Sequence, residues 1–259
     1  LNNSDLKISI VQFSPEWENR EANLERCDAL LGHAGNSSVV LLPEMFPTGF
    51  SMNAEALAEP MDGRTVVWMK SAASRMNSVI SGSLMIREGG KFFNRLLWVT
   101  PDGDVQWYDK RHLFSMGEEH LHFSPGKERI TLEWQGWKIR PLICYDLRFP
   151  VWSRNHDDYD LLIYLANWPS ARHHVWKNLL VSRALENQCW CVAVNRTGVD
   201  GMNLSYLGDS AVIDPRGNAQ WLGGSEAVQT FTLSHQALVE FRKKFPVLLD
   251  RDNFMIESK

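Results

Sequence analysis

The feature that most restricts this chain is a set of short apolar runs that break off at a polar or reactive side chain. Residues 39–42 (VVLL) are continuously apolar, and Pro43 with Glu44 ends the run. Residues 142–150 (LICYDLRFP) behave alike: apolar residues stop at Cys144, and charge follows at once. A third run, LLIYLAN, occupies 161–167. A strand without polar alternation is covered on both faces, so such runs demand layers above and below them. Helical periodicity at 19–31, 64–76, 172–188 and 234–244 supplies candidate layers, and a short helix is expected at 147–155.

Other strands alternate or pair as hairpins. LKISIVQF at 6–13 alternates, and three strand-like runs follow residue 76, separated by Gly89-Gly90 and by Pro101-Asp102-Gly103-Asp104. Residues 130–134 and 137–143 form a further hairpin; CWCVAVN, LGDSAVID and the region around QWLGG complete the set. Strands interleaved with both helices and hairpins predict an α/β fold whose sheets are mixed and covered by helices. The likeness between the strands ending in Glu44 and Cys144 leaves open whether two related halves pack together.

The 259 residues are assigned to a single domain, 1–259, with about 245–259 an extended C-terminal tail. At 44% hydrophobic and 22% charged residues, neither disorder nor a fibrous architecture fits. A net charge of −4 excludes a nucleic-acid partner, since neutralising phosphates takes a basic face; a small-molecule substrate is expected. No run approaches the roughly 18 apolar residues of a membrane span, and the start lacks a basic region followed by an apolar core. A cytoplasmic protein with no membrane partner is therefore expected. Cys27, Cys144, Cys189 and Cys191 are too few and too irregular for a disulfide framework; Cys189 and Cys191 fall on one strand face and read as core.

In sheets flanked by helices, reactive groups collect beyond the carboxyl ends of strands. Glu44, Lys110 and Cys144 each fall at such an end. A free thiol, with a pKa of about 8.5, needs a base or an electropositive setting to act at neutral pH. A buried glutamate can take its proton, and a lysine can hold the negative oxygen of a tetrahedral intermediate. Taken singly, the cysteine is more often core and the two charges more often surface groups; jointly they form a complete set.

PEMFPTGF around Glu44, YDKRHLF around Lys110 and CYDLRFPVW from Cys144 resemble, in order, the three signature blocks of the nitrilase superfamily, the carbon-nitrogen hydrolases. NWP at 167–169 and SRALENQ at 182–188 extend the likeness over nearly the whole chain. The resemblance implies a four-layer α-β-β-α sandwich, a homodimer, a Glu-Lys-Cys triad, and neither metal nor cofactor. Position by position it implies Glu44 as general base, Lys110 as transition-state stabiliser and Cys144 as nucleophile. A further glutamate, which orients the lysine, matches Glu119 in EHLHFSPG, with Glu118 the adjacent alternative.

Within the superfamily the chain most resembles the bacterial omega-amidase branch, which hydrolyses the terminal amide of 2-oxoglutaramate or 2-oxosuccinamate. That implies an oxyanion donor from the Tyr145 backbone and a binder for a second carboxylate. Arg148 and Arg172 are candidates, although Arg148 reads more readily as half of a structural ion pair. Phe46, Phe114 and Trp168 are expected as pocket walls or, alternatively, as core. Another amidase or an N-carbamoyl hydrolase of the superfamily, or a non-catalytic binding protein on the same fold, are the alternatives. A papain-like hydrolase would need a histidine base, and nothing in the sequence selects one. His112, His120 and His122 beside Glu118 and Glu119 invite a metal, yet they lack the helical HExxH spacing. His173-His174 read as capping or surface groups.

Overall fold

Apolar side chains every third or fourth residue put one stripe of each helix against a sheet, and the strands form between those stripes. The computed structural model describes residues 4–257. Strands β1 (Leu6–Gln12), β2 (Val39–Leu41), β3 (Val79–Glu88), β4 (Lys91–Val99), β5 (Val105–Asp109), β6 (Leu132–Trp134) and β7 (Trp137–Ile143) fill the first half. They are followed by β8 (Leu161–Ala166), β9 (Trp190–Asn195), β10 (Thr197–Val199), β11 (Ser205–Leu207), β12 (Ala211–Ile213), β13 (Ala219–Trp221) and β14 (Ala227–Leu233). The helices are α1 (Arg20–Leu31), α2 (Ala54–Leu57), α3 (Arg64–Met76), α4 (Glu119–His122), α5 (Pro150–Ser153), α6 (His173–Asn187) and α7 (His235–Lys244).

Two six-stranded mixed sheets result, in the orders β14-β1-β2-β3-β4-β5 and β13-β12-β9-β8-β7-β6. Each repeats one pattern: an antiparallel edge strand, three parallel strands, then two antiparallel ones. The two halves are thus alike, but β2 corresponds to β8 and β1 to β7. Glu44 is therefore matched by Asn167 rather than by Cys144.

Leu24, Cys27, Leu30 and Leu31 of α1 and Val66, Met69, Ala72 and Ala73 of α3 cover one face of the first sheet. Its other face, through Ile8, Ile10, Leu41 and Trp98, packs on the second sheet, whose far side takes Trp176, Leu180 and Ala184 of α6. This is the four-layer α-β-β-α sandwich. Full burial of each large apolar side chain contributes about 1.5–3 kcal/mol. Asn19 caps α1 by accepting the Ala22 N–H at 3.2 Å, and left-handed Asn77 and Gln188 end α3 and α6.

The helix expected at 147–155 is instead a 3-10 turn, Cys144–Arg148, followed by the single turn of α5. Pro150 disfavours a helical Phe149, which takes φ −115° and ψ 87°, so the two turns cannot merge. β10, β11 and β14 have no counterpart in the sequence reading. Beyond α7 a turn at Val247–Asp250 leads into a stretch without regular structure that lays Phe254 against His156, ring centroids 4.4 Å apart. The last two residues of the expected tail lie outside the described residues. Among the described residues no helix is long and apolar enough to cross a membrane.

Candidate active site

Four titratable side chains from separate parts of the chain meet between the sheets. Glu44 lies just past β2, where left-handed Met45 (φ 44°) turns the chain and the Met45 N–H donates to Ser83 Oγ at 2.9 Å. Lys110 follows β5, its N–H bonded to the Asn94 carbonyl at 3.0 Å. Cys144 follows β7 and opens the 3-10 turn, and Glu119 opens α4. All but Cys144 are essentially sealed, and Cys144 is 8% exposed.

The ammonium of Lys110 is 2.8 Å from Glu44 Oε1, and 3.0 and 2.9 Å from Glu119 Oε1 and Oε2. Burial alone would lower its pKa, but the carboxylates of Glu119 and Glu44 outweigh burial and hold the lysine cationic. Glu119 also accepts the Phe114 N–H at 2.6 Å. Burial pushes its carboxyl pKa up, with Lys110 opposing and Glu44 adding to the rise. Its neighbour Glu118 is exposed and takes no part.

Asn94 bridges the two glutamates. Its Oδ1 accepts the Ser83 hydroxyl at 2.8 Å, which turns its NH2 toward Glu44 Oε1 at 2.8 Å and Glu119 Oε1 at 3.2 Å. Asn167 holds Glu44 from the other sheet: its N–H donates to Oε2 at 2.8 Å, and its Nδ2 to the Glu44 carbonyl at 2.7 Å. Asn167 was visible only as part of NWP. Asn94 had left one signal, an amide in the middle of the strand-like KFFNRLLWV.

Cys144 has φ 42°, a left-handed conformation that costs a non-glycine residue free energy and that recurs where side chains are presented for chemistry. Its Sγ lies 3.7 Å from the Asn167 carbonyl. Burial, then the charge of Glu44, pushes the thiol pKa well up, with Lys110 opposing. Burial favours the neutral thiol, so attack requires a base within reach, and Glu44 is the carboxylate whose charge acts most strongly on the sulfur. Tyr145 is the second residue of the 3-10 turn, where backbone N–H groups lack a partner inside the turn.

A pocket opens above Cys144 and Lys110. Phe114, Trp168, Tyr145, Arg148 and Arg172 all line it. Phe46 does not. It is fully buried beneath β3, so close to Gly82 that a Cβ there would sit 2.7 Å from its ring, and 5.8 Å from the ring of Trp68. The turn at Met45 sends Phe46 back into the α3 layer, and Phe50 supplies the wall instead, its ring 5.1 Å from Lys110 Nζ. Tyr206 and Leu204, from the unread β10–β11 hairpin, complete the rim.

Arg148 lies over the Trp168 ring at 5.3 Å and Arg172 over Phe114 at 5.1 Å. Among the described residues neither guanidinium meets a carboxylate, so the ion pair expected for Arg148 is replaced by stacking. The three clustered histidines do not converge: His120 and His122 are exposed on α4, while His112 Nδ1 faces Asp146 at 2.8 Å. Among the described residues no group of three or more His, Cys, Asp or Glu is arranged to hold a metal. His173 Nε2 pairs with Asp209 at 2.9 Å, and Cys189 and Cys191 are fully buried in the core.

A buried thiol beside a glutamate, a lysine and a second glutamate, between two sheets of one pattern, sets the frame for comparison. The family model for carbon-nitrogen hydrolases matches residues 7–236, and the chain belongs to that family. Omega-amidase YafV of Escherichia coli is 45% identical, over 97% of this chain and 98% of its own. The 2-oxoglutaramate amidase of Bacillus subtilis is 34% identical, over 94% of this chain and 96% of its own. Among solved structures, a CN-hydrolase superfamily protein of Xanthomonas campestris with an arsenic adduct in its active site superposes with a TM-score of 0.95. It is 50% identical and covers 98% of this chain and 99% of its own.

Proposed function

We propose that this chain is an omega-amidase that hydrolyses the terminal carboxamide of a small 2-oxo acid amide, 2-oxoglutaramate or 2-oxosuccinamate, to the 2-oxo dicarboxylate and ammonia. One observation carries the reading. Lys110 is held by two buried carboxylates beside Cys144, in a pocket that also presents two arginines without carboxylate partners among the described residues. The substrate class follows from the relatives named omega-amidase and 2-oxoglutaramate amidase.

In this mechanism Cys144 Sγ attacks the amide carbon while Glu44 takes the thiol proton. The developing oxyanion is met by Lys110 and the Tyr145 N–H; loss of one such donor costs about 3 kcal/mol. Lys110 makes two bonds to Glu119, so one hydrogen can turn to the oxyanion while the other keeps the ammonium anchored. Glu44 returns its proton to the departing nitrogen, ammonia leaves, and a thioester remains. Water, deprotonated by Glu44, attacks the thioester; the second tetrahedral intermediate collapses to the free acid and the restored thiol. Arg148 and Arg172 bind the distal carboxylate, and Phe50, Phe114 and Trp168 enclose the carbon chain.

A homodimer in the cytoplasm belongs to the same proposal. Four unpaired cysteines suit a reducing compartment, and exposed Val151, Leu185 and Leu249 offer apolar surface for a second copy. Steady-state rates on 2-oxoglutaramate, a nitrile, an N-carbamoyl amino acid and a long aliphatic amide test the substrate. The highest kcat/KM is expected for 2-oxoglutaramate, and a higher value for the carbamoyl compound overturns the assignment. Undiminished turnover by Cys144→Ala removes the nucleophile, and no turnover by the intact protein favours a binding role.

A further inference from the structure

Asp146 is fully buried two residues past Cys144, yet its carboxylate takes no part in the reaction just described. Its Oδ2 accepts the Tyr108 hydroxyl at 2.7 Å and the Ile143 N–H at 3.1 Å. Its Oδ1 accepts the His112 N–H at 3.0 Å and lies 2.8 Å from His112 Nδ1, which carries the hydrogen when it faces an ionised carboxylate. Tyr108 and His112 stand two residues before and two residues after Lys110. One carboxylate of the nucleophile turn thus grips the lysine segment on both sides.

The grip spans the sandwich, because β5 belongs to the first sheet and β7 to the second. Capping the 3-10 turn requires only the Ile143 bond; the other three donors all come from the lysine segment. Those donors are themselves fixed. The Tyr108 hydroxyl accepts Trp152 Nε1 at 2.9 Å and the Arg111 N–H at 3.2 Å. The His112 ring stacks on Phe149 at 3.7 Å, with 6° between the planes.

We propose that Asp146 and His112 are positioning residues that set the offset between Lys110 Nζ and Cys144 Sγ. They act on the rate of the step in which the oxyanion forms, without touching substrate. The inference rests on the reading of Cys144 as nucleophile and Lys110 as oxyanion donor. It places the effect in kcat, since the Asp146 carboxylate bonds to Tyr108, Ile143 and His112 and to neither pocket arginine.

His112→Ala and His112→Asn test it in the full chain, because Asn keeps an N–H near the position of ring Nδ1 and both variants keep the backbone N–H. His112→Ala is expected to lower kcat about tenfold or more with KM within about twofold, and His112→Asn to recover most of it. Equal kcat in the two variants, or a loss confined to KM, overturns the inference. Alkylation of Cys144 by iodoacetamide at pH 8 needs no substrate and separates this inference from the functional reading. As Lys110 drifts from the sulfur the thiolate loses support, so His112→Ala should react about threefold or more slowly and His112→Asn near the parent rate. An unchanged alkylation rate in His112→Ala overturns the positioning role whatever the substrate is. An intact enzyme that fails on 2-oxoglutaramate while the two variants differ in alkylation overturns only the functional reading.

Discussion

Lys110 Nζ and the carboxylate of Glu119 make a two-point contact, 3.0 and 2.9 Å, in a place where neither residue meets solvent. An ammonium buried that deeply persists as a cation only while its carboxylates persist. Breaking such a pair by removing one member costs about 3–5 kcal/mol, because the remaining charge is left uncompensated.

Glu119→Gln therefore lowers both stability and turnover. The expected loss is about 3 kcal/mol in urea unfolding and about 100-fold or more in kcat, since the oxyanion donor loses its anchor. Stability and kcat both at parent values would show that Glu119 does not hold the lysine.

Among the described residues Arg172 and Arg148 have stacking partners but no carboxylate, which leaves each guanidinium able to bind a substrate carboxylate. Charge-assisted hydrogen bonds contribute about 1.5–3 kcal/mol, so Arg172→Ala or Arg148→Ala should raise KM for 2-oxoglutaramate about 10–100-fold with kcat little changed. An amide lacking the distal carboxylate should be hydrolysed by parent and variant alike. Steady-state kinetics on the two substrates decide the matter, and an equal loss on both rejects the carboxylate role.

Buried acids that stay protonated in the folded chain make the fold sensitive to alkali. Burial pushes the Cys189 thiol from 9.0 up to about 12, and raises Cys191, Tyr159 and Tyr164 as well. The folded state keeps protons that the unfolded chain releases, so this stability is full below pH 9 and drains away as pH rises toward 12. Urea midpoints measured from pH 7 upward should fall above pH 9, and Cys189→Ala should flatten part of that slope. A midpoint that rises in this range contradicts the buried thiols.

The strand end at Glu44 was legible because Val39–Leu41 is apolar without alternation, as a doubly covered strand reads, whereas before Cys144 only Pro141, Leu142 and Ile143 run unbroken after the alternating Trp137–Arg140. Their meeting was not legible from periodicity, since it depends on sheet order and on turns at Met45 and Cys144 that place both residues at positive φ. Phe46 falls in the core rather than on the pocket wall for the same reason: one left-handed residue reverses the direction of the next side chain. β14 escaped notice because Gln229, Thr230 and Thr232 keep it polar, and its partner β1 stands at the far end of the chain. The short β10–β11 hairpin carries too little apolar signal to read, yet it brings Tyr206 to the pocket. Asn94 and Asn167 show the general limit. A buried amide reveals what it holds only once its partners are in place.

The most direct test is to quench the enzyme with acid during turnover of 2-oxoglutaramate and to map covalent mass by peptide mass spectrometry. An acyl group is expected on the peptide bearing Cys144 and is expected to be absent from Cys144→Ala, which also releases no ammonia. An acyl group on another residue, or ammonia released at the parent rate by Cys144→Ala, would contradict Cys144 as the nucleophile.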